Sequence, residues 1–334
     1  MTVDLLIAGF GVVGQGLAEV LASKQGELES KLDTEVRIVG AFDSRSMVRS
    51  EYGLDPIELL QHKKATGMVG EERHQGDTVS IVREVDHDIL IELTPTDIVK
   101  GEPAFSHMRS SLEMGRDVIT CNKGPLALRY RELSSLARRK GARLRFEGSV
   151  GGAMPVISVA REVLMGERIL KIRGILNGTC NFILSRMGEE GLPLSQALKE
   201  AQQLGYAEAD PTYDIDGIDS ACKVAILANA IMDKDVTVNE VEITGIRGIS
   251  EEAVALASSQ RKVIRLIGEI SERRVEVSPR LVPAGHLLSI GGTLNMVQMK
   301  TDIAGEITVA GKGAGKMETA SAVFSDLVAL VRSR

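Results

Sequence analysis

The sequence predicts an α/β protein in two parts, a parallel sheet covered by helices on both faces followed by a second, α+β domain. Three observations carry that expectation. Strand-like apolar runs alternate with helix-periodic stretches over the first 150 residues, the pattern of a parallel sheet wound through crossover helices. A glycine turn, Gly9-Phe10-Gly11-Val12-Val13-Gly14, stands between the first strand and the first helix. After residue 150 the pattern changes to consecutive helices and then to period-two runs. At 334 residues the chain exceeds the usual size of one domain. The expected division is 1–150 plus 312–334 for the first domain and 151–311 for the second.

VDLLIA is a short apolar run that meets Gly9, and VVGQGLAEVLASK behind it repeats at helical spacing, giving strand, turn and helix. EVRIVGAF is a second strand ending at Asp43, DILIEL a third ending at Thr94-Pro95, RDVITC a fourth ending at Asn122-Lys123, and ARLRFE a fifth ending at Glu147. Helices are expected at PAFSHMRSSLEMG and LRYRELSSLARRKG, the second closed by Gly141. In the second domain GGAMPVISVAREVLMG, CNFILSRM, LSQALKEAQQLG and SACKVAILANAIM read as helices. RKVIRLIGEI and RRVEVSPRLV read as antiparallel strands with one polar face. AGKGAGKMETASAVFSDLVALV is a glycine turn entering a last amphipathic helix, expected to return to the first domain.

Composition narrows the function. Forty-six acidic against 40 basic residues leave a net charge of -6, with no basic tail or stripe, which argues against a nucleic-acid partner. The longest apolar runs fall short of the roughly 20 residues that span a bilayer, so no membrane partner is expected. The apolar N-terminus lacks a basic n-region and runs into the glycine turn, so it reads as a strand. Cys121, Cys180 and Cys222 show no CxxC spacing, and a reducing cytoplasm fits them best. The five histidines form no ligand pair at helical spacing.

The turn Gly9 to Gly14 is GxGxxG in its required context, directly after a strand and opening a helix. There the glycines permit a tight turn and close approach of a pyrophosphate, and the helix N-terminus supplies unpaired amides. The first domain is therefore expected to be Rossmann-type and to bind NADP or NAD. Asp43, at the end of the second strand, would accept from a free ribose 2′-hydroxyl and favours NAD; Arg45, two residues on, can turn toward a 2′-phosphate. Ligands of such sheets collect at the carboxyl ends of strands, which singles out Thr94, Lys123 and Glu147. The glycine-rich EGSVGGAMP segment, which begins at Glu147, offers a carboxylate and backbone carbonyls to a hard monovalent cation; it serves equally well as a domain hinge.

The densest cluster of carboxylates is AEADPTYDIDGIDSACK, with Glu208, Asp210, Asp214, Asp216 and Asp219 ahead of Lys223. The next residues, VAILANAIM, are apolar enough for a buried helix, which would carry Asp219 and Lys223 inward four positions apart on one face. A surface ion pair is the ordinary alternative. A buried lysine beside a carboxylate can exchange a proton with an alcohol or carbonyl, because burial and the carboxylate pull its pKa in opposite directions. Glu208 and Asp214 could then hold a substrate ammonium. Asp216 suits the cap of that helix and Asp210 a turn.

GFGVVGQG, ELTPT, TCNKGPLA, EGSVGGAMP, GILNGTCNFI, AQQLGYAEADPTYDIDGIDSACK and GKGAGKMETASAV, in that order, resemble the homoserine dehydrogenase family over essentially the full chain. The resemblance implies reversible NAD(P)-dependent reduction of L-aspartate 4-semialdehyde to L-homoserine, on the route to threonine, methionine and isoleucine. It implies Lys223 as the acid/base with Asp219 as its support and substrate contact. It also implies a functional Lys123 near cofactor and substrate, although Cys121 replaces the family's common alanine. Glu208, Asp214 and Thr179 match the substrate pocket, Gly205 and Gly315 cofactor-side glycines, and Glu147, Val150, Gly152 and Met154 a sodium site, the last three through carbonyls. A homodimer or pair of dimers, assembled through the second domain, is implied as well. The C-terminal regulatory domain of longer relatives is not in the sequence, so little feedback by threonine is expected. A sugar or polyol dehydrogenase and a catalytically idle nucleotide sensor are the competing readings; the first would not need the Glu208 and Asp214 cluster and often pairs its lysine with a second-domain histidine, where only His286 stands, and the intact Lys123, Glu208, Asp219 and Lys223 speak against the second.

Overall fold

The computed structural model describes residues 1–74 and 76–334. They form two compact units, Met1–Ser149 with Gly315–Arg334, and Val150–Ala314. In the first, β1 (Thr2–Ala8), α1 (Val12–Leu32) and β2 (Glu35–Phe42) follow the expected order. Residues 43–88, where the sequence shows no element, hold β3 (Ser46–Leu54), α2 (Pro56–Thr66), β4 (Glu72–Arg73) and α3 (Thr78–Glu84). Then come β5 (Ile89–Glu92), α4 (Ala104–Glu113), β6 (Asp117–Thr120), α5 (Lys123–Lys140) and β7 (Leu144–Arg145). The fifth strand is thus shorter than expected, and Glu147 sits in a 3-10 turn beyond it.

The sheet order is β4-β3-β2-β1-β5-β6-β7, parallel from β2 through β7 and antiparallel at β3 and β4. Val3, Leu5, Leu6, Ile7 and Ala8 are completely buried because a central parallel strand has no solvent face. Strand order reverses at β1, with β2 on one side and β5 on the other, and the crevice for a ligand in such a sheet lies at the carboxyl ends of those strands. The C-terminal helix, Lys316–Arg332, belongs to this unit. It packs so closely on α1 that a Cβ on Gly16 would meet Lys316 and Ala320 at 3.0–3.2 Å, and Val323, Leu327 and Leu330 share a core with Leu17 and Leu21.

In the second unit the expected helix over 151–166 begins only at α6 (Val156–Ser158), which runs into a π-helical turn, Val159–Val163. Gly152 has φ +56 and Pro155 follows, so the chain cannot enter a helix earlier. Next are β8 (Ile169–Ile175), α7 (Gly178–Glu190), α8 (Leu194–Gln203), α9 (Thr212–Ile215) and α10 (Ile218–Met232). β9 (Glu242–Ile243), α11 (Glu251–Ser259), β10 (Lys262–Ser271), β11 (Val275–Pro283), β12 (Leu294–Thr301) and β13 (Glu306–Lys312) complete it. The sheet order is β13-β12-β8-β10-β11-β9, with β10 and β11 antiparallel as their period-two pattern requires. The helices cover one side: a Cβ on Gly268 of β10 would stand 2.6 Å from Val224 of α10. Among the described residues no helix is long and apolar enough to cross a membrane.

Candidate active site

The nucleotide half lies in the first unit. Gly9 has φ +96, and a Cβ there would be 2.6 Å from the Leu93 carbonyl. A Cβ on Gly14 would be 2.5 Å from Gly9 O, whereas one on Gly11 would meet nothing within 4 Å. The outer glycines therefore serve the turn and the packing, and the middle one borders open space above the start of α1. That helix has no side-chain cap and no acidic residue in its first turn, so its first amides remain available to an anion. A dinucleotide pyrophosphate fits these features. Phe10 is completely buried, so only its backbone faces the turn; Val12 is 66% exposed, and Val13 is half-buried.

Asp43 is less open than its sequence position suggests. One carboxylate oxygen accepts the backbone amides of Arg45 and Ser46 at 2.8 and 3.0 Å, and the other accepts Lys63 Nζ at 2.6 Å. Burial works to raise its pKa, but the Lys63 ammonium and the two amides prevail and hold it below the usual carboxylate range. Arg45 is exposed beside it. Farther along the crevice, Thr94 presents its carbonyl to Asn122 Nδ2 at 2.9 Å. Asn122 also caps α5 through Gly124 N at 3.1 Å, which makes Lys123 the first residue of that helix, at the carboxyl end of β6.

The substrate half is built in the second unit on the starts of α7 and α10. Asn177 caps α7, its Oδ1 accepting Cys180 N at 2.8 Å. Its amide nitrogen donates to Asp214 at 2.6 Å and to Asp219 at 3.0 Å, joining the two carboxylates. Lys223, 6% exposed, donates to the same Asp219 oxygen at 2.7 Å and to the Leu176 carbonyl at 2.6 Å. Among the described residues the third ammonium hydrogen has no acceptor. Asn295 of β12 donates to that Leu176 carbonyl at 3.0 Å, so the carbonyl holding the ammonium is itself fixed. Burial, reinforced by the charge of Asp219, raises the Asp214 pKa against the opposing Asn177 hydrogen bond.

Asp219, Lys223 and Asp214 are therefore brought together, and Thr179 is near them in the chain, on the first turn of α7, donating to Tyr206 O at 2.7 Å. Glu208 is not part of this network: it is exposed, and among the described residues its carboxylate has no hydrogen-bond partner. Asp210 is a turn residue, accepting Thr212 N at 3.1 Å. Asp216 does not cap α10. Gly217 takes that place with φ +83, and Asp216 pairs with Arg247 at 2.6 Å instead. Sequence reasoning passed over Asn177, Asn122, Asn295 and Lys63; the two caps carry a signal, Asn ahead of a helix.

Glu147 is buried in the first unit, where its amide donates to Asp326 at 2.8 Å. Val150, Gly152 and Met154 lie in the first turns of the second unit, and the Met154 carbonyl accepts Val156 N at 2.9 Å. Gly205 closes α8 with φ +75, and Gly315 opens the C-terminal helix with φ +139. Burial pushes the Cys121 thiol up to about 12 and the Cys180 thiol well above its ordinary value, so neither is a ready nucleophile.

A parallel sheet with an open glycine turn, and a buried lysine with one unspent donor beside two carboxylates, define a nicotinamide-dependent oxidoreductase that moves a proton at its substrate. The family models agree: "Homoserine dehydrogenase, NAD binding domain" matches residues 9–147 and "Homoserine dehydrogenase" matches 155–328. The chain belongs to the homoserine dehydrogenase family. It is 44% identical to a homoserine dehydrogenase of Methanocaldococcus jannaschii, covering 99% of both chains. It is 38% identical to an NAD(+)-dependent homoserine dehydrogenase of Pseudomonas canavaninivorans, over 98% of this chain and 96% of that one. A crystal structure described as "Putative Homoserine Dehydrogenase" from Archaeoglobus fulgidus superposes with a TM-score of 0.92 at 46% identity, over 98% of this chain and 99% of that one.

Proposed function

We propose that this enzyme interconverts L-homoserine and L-aspartate 4-semialdehyde, as a step of aspartate-derived amino-acid synthesis, with Lys223 as the proton-transfer residue. The observation that carries the assignment is the geometry of Nζ: two of its hydrogens are fixed on Asp219 and Leu176, and the third is left for a substrate oxygen. A bound nicotinamide would supply the hydride chemistry between alcohol and aldehyde. In the reductive direction Lys223 stabilises the charge growing on the carbonyl oxygen and then protonates it. Asp219 keeps Nζ aligned and contacts substrate. The substrate ammonium goes to Asp214, with Glu208 and Thr179, because a cation beside Asp214 offsets the burial and like charge that work against its ionisation. Lys123 is assigned to the nicotinamide end of the crevice, and Thr94, Gly205 and Gly315 to cofactor contacts.

Both nucleotides are expected to be used. Asp43 is neutralised by Lys63 and turned into its own loop, while Arg45 is exposed to take a 2′-phosphate. Following nicotinamide absorbance with L-homoserine tests this: Arg45→Ala is expected to raise the KM for NADP by about tenfold and leave that for NAD unchanged, the scale of one lost charge-assisted hydrogen bond. Equal effects on both would remove Arg45 from the 2′-site. Glu147 with the carbonyls of Val150, Gly152 and Met154 is proposed to hold sodium, since a buried carboxylate and carbonyl oxygens suit a hard cation. Turnover and thermal stability identical with and without sodium would refute it.

A further inference from the structure

Glu92, the last residue of β5, is completely buried, and so is His107 on α4. Neither is accounted for by the reaction. Both oxygens of the carboxylate are used: Oε1 accepts the Thr94 amide at 2.7 Å and the Thr94 hydroxyl, and Oε2 stands 2.7 Å from His107 Nδ1. His107 Nε2 lies 2.6 Å from Thr78 Oγ1, and Phe42 packs edge-on against the imidazole with centroids 5.4 Å apart. A polar line therefore runs through an apolar layer from the start of α3 to Thr94. Burying such a pair is costly, and a well-packed apolar pair would fill the same volume without that cost.

What the pair holds is the wall of the crevice. The Glu92 carbonyl accepts the Thr120 hydroxyl at 2.9 Å, Thr120 Oγ1 accepts Asn122 N at 2.9 Å, and Asn122 Nδ2 returns to the Thr94 carbonyl at 2.9 Å. This ring ties the carboxyl end of β5 to that of β6, one residue before Lys123. On the other side the Leu93–Thr94 peptide lies against Gly9 with no slack, since even a Cβ there would come within 2.6–2.7 Å of it. A shift of Thr94 would displace the glycine turn and the start of α5 together.

We propose that Glu92, anchored by His107, is the positioning residue for the dinucleotide, setting Thr94 between the glycine turn and Lys123. It touches no reacting atom; it fixes the groups that line the nucleotide. NADPH affinity read by fluorescence tests this apart from turnover. Glu92→Leu and His107→Leu are expected to weaken NADPH by about tenfold while the KM for homoserine stays within about twofold, as for loss of a buried hydrogen-bonded anchor. Glu92→Gln and His107→Asn keep an acceptor for Thr94 and a donor for Glu92, and are expected to bind NADPH within about threefold of wild type. Should Glu92→Leu fail to fold, His107→Leu against His107→Asn decides alone. Leu variants with lowered Tm and wild-type NADPH affinity, or a homoserine KM that rises as far as the NADPH Kd, would overturn the proposal.

Discussion

Asp214 is the carboxylate whose surroundings oppose its own charge, and it shows what the substrate half costs the fold. Its pKa is raised in the folded chain, chiefly by burial, above the ~3.9 of an unfolded aspartate. Between those two values the folded state holds more protons than the unfolded one, so stability falls as pH rises through the interval. Above it the ionised group is a net penalty. Asp214→Asn keeps an acceptor for Asn177 and removes the charge; it is expected to raise Tm at pH 7 by about 2 °C or more and to raise the homoserine KM by about tenfold or more. A lower Tm with an unchanged KM would mean that Asp214 is structural. At this scale the sequence revealed Asp219 and Lys223 through their spacing on an apolar helix. It made Asn177 legible as the cap of α7 but concealed its second task, joining Asp214 to Asp219, because those carboxylates lie 37 and 42 residues farther along the chain. It misled at Asp216, because the positive φ of Gly217 turns the chain and hands that carboxylate to Arg247.

At the level of elements, the three glycines of the first turn do different work. Gly14→Ala puts a methyl 2.5 Å from Gly9 O, a contact the backbone cannot relieve, while Gly11→Ala meets nothing in the protein. Gly14→Ala is expected to destabilise the fold by about 1–3 kcal/mol, as overpacking does. Gly11→Ala should instead leave Tm unchanged and weaken NADPH, because its methyl occupies the space a pyrophosphate needs. Calorimetry together with NADPH titration separates the two, and a Gly11→Ala protein with full NADPH affinity would move the nucleotide elsewhere. The strands at the centre of the first sheet were legible because both their faces are buried and they read as unbroken apolar runs. β3 and β4 were not: Arg49, Glu51 and Tyr52 on β3 are largely exposed, so the edge of the sheet carries no apolar signature. β8 and β12 were missed because Lys171, Arg173, Gln298 and Lys300 interrupt their apolar pattern, and β13 because its residues are exposed or half-buried.

For the molecule as a whole, the chain leaves the first unit at Ser149 and re-enters it at Gly315. The glycine turn and amphipathic run near the C-terminus were legible, and the register of Gly16 against Ala320 explains why that helix packs on α1. In the second unit, the side of the sheet away from the helices carries Lys171, Arg173 and Glu269 as an ion-pair cluster, with Lys171 Nζ 2.8 Å from Glu269. The expected one polar face is not seen on β10, where Arg265, Ile267 and Glu269, opposite Gly268, are all buried within the chain. We propose that this unit nonetheless pairs with a second copy; light scattering is expected to give twice or four times the chain mass, and a monomer at all concentrations would refute it. The most direct test of the central assignment is the turnover of L-homoserine by Lys223→Ala beside Lys123→Ala, with NADPH affinity measured on both. Lys223→Ala is expected to lose about 10²-fold to 10⁴-fold in kcat, the usual worth of a general acid/base, while binding NADPH as the wild type does. Retained turnover in Lys223→Ala, with the loss falling on Lys123→Ala alone, would contradict it and move the proton to the other lysine.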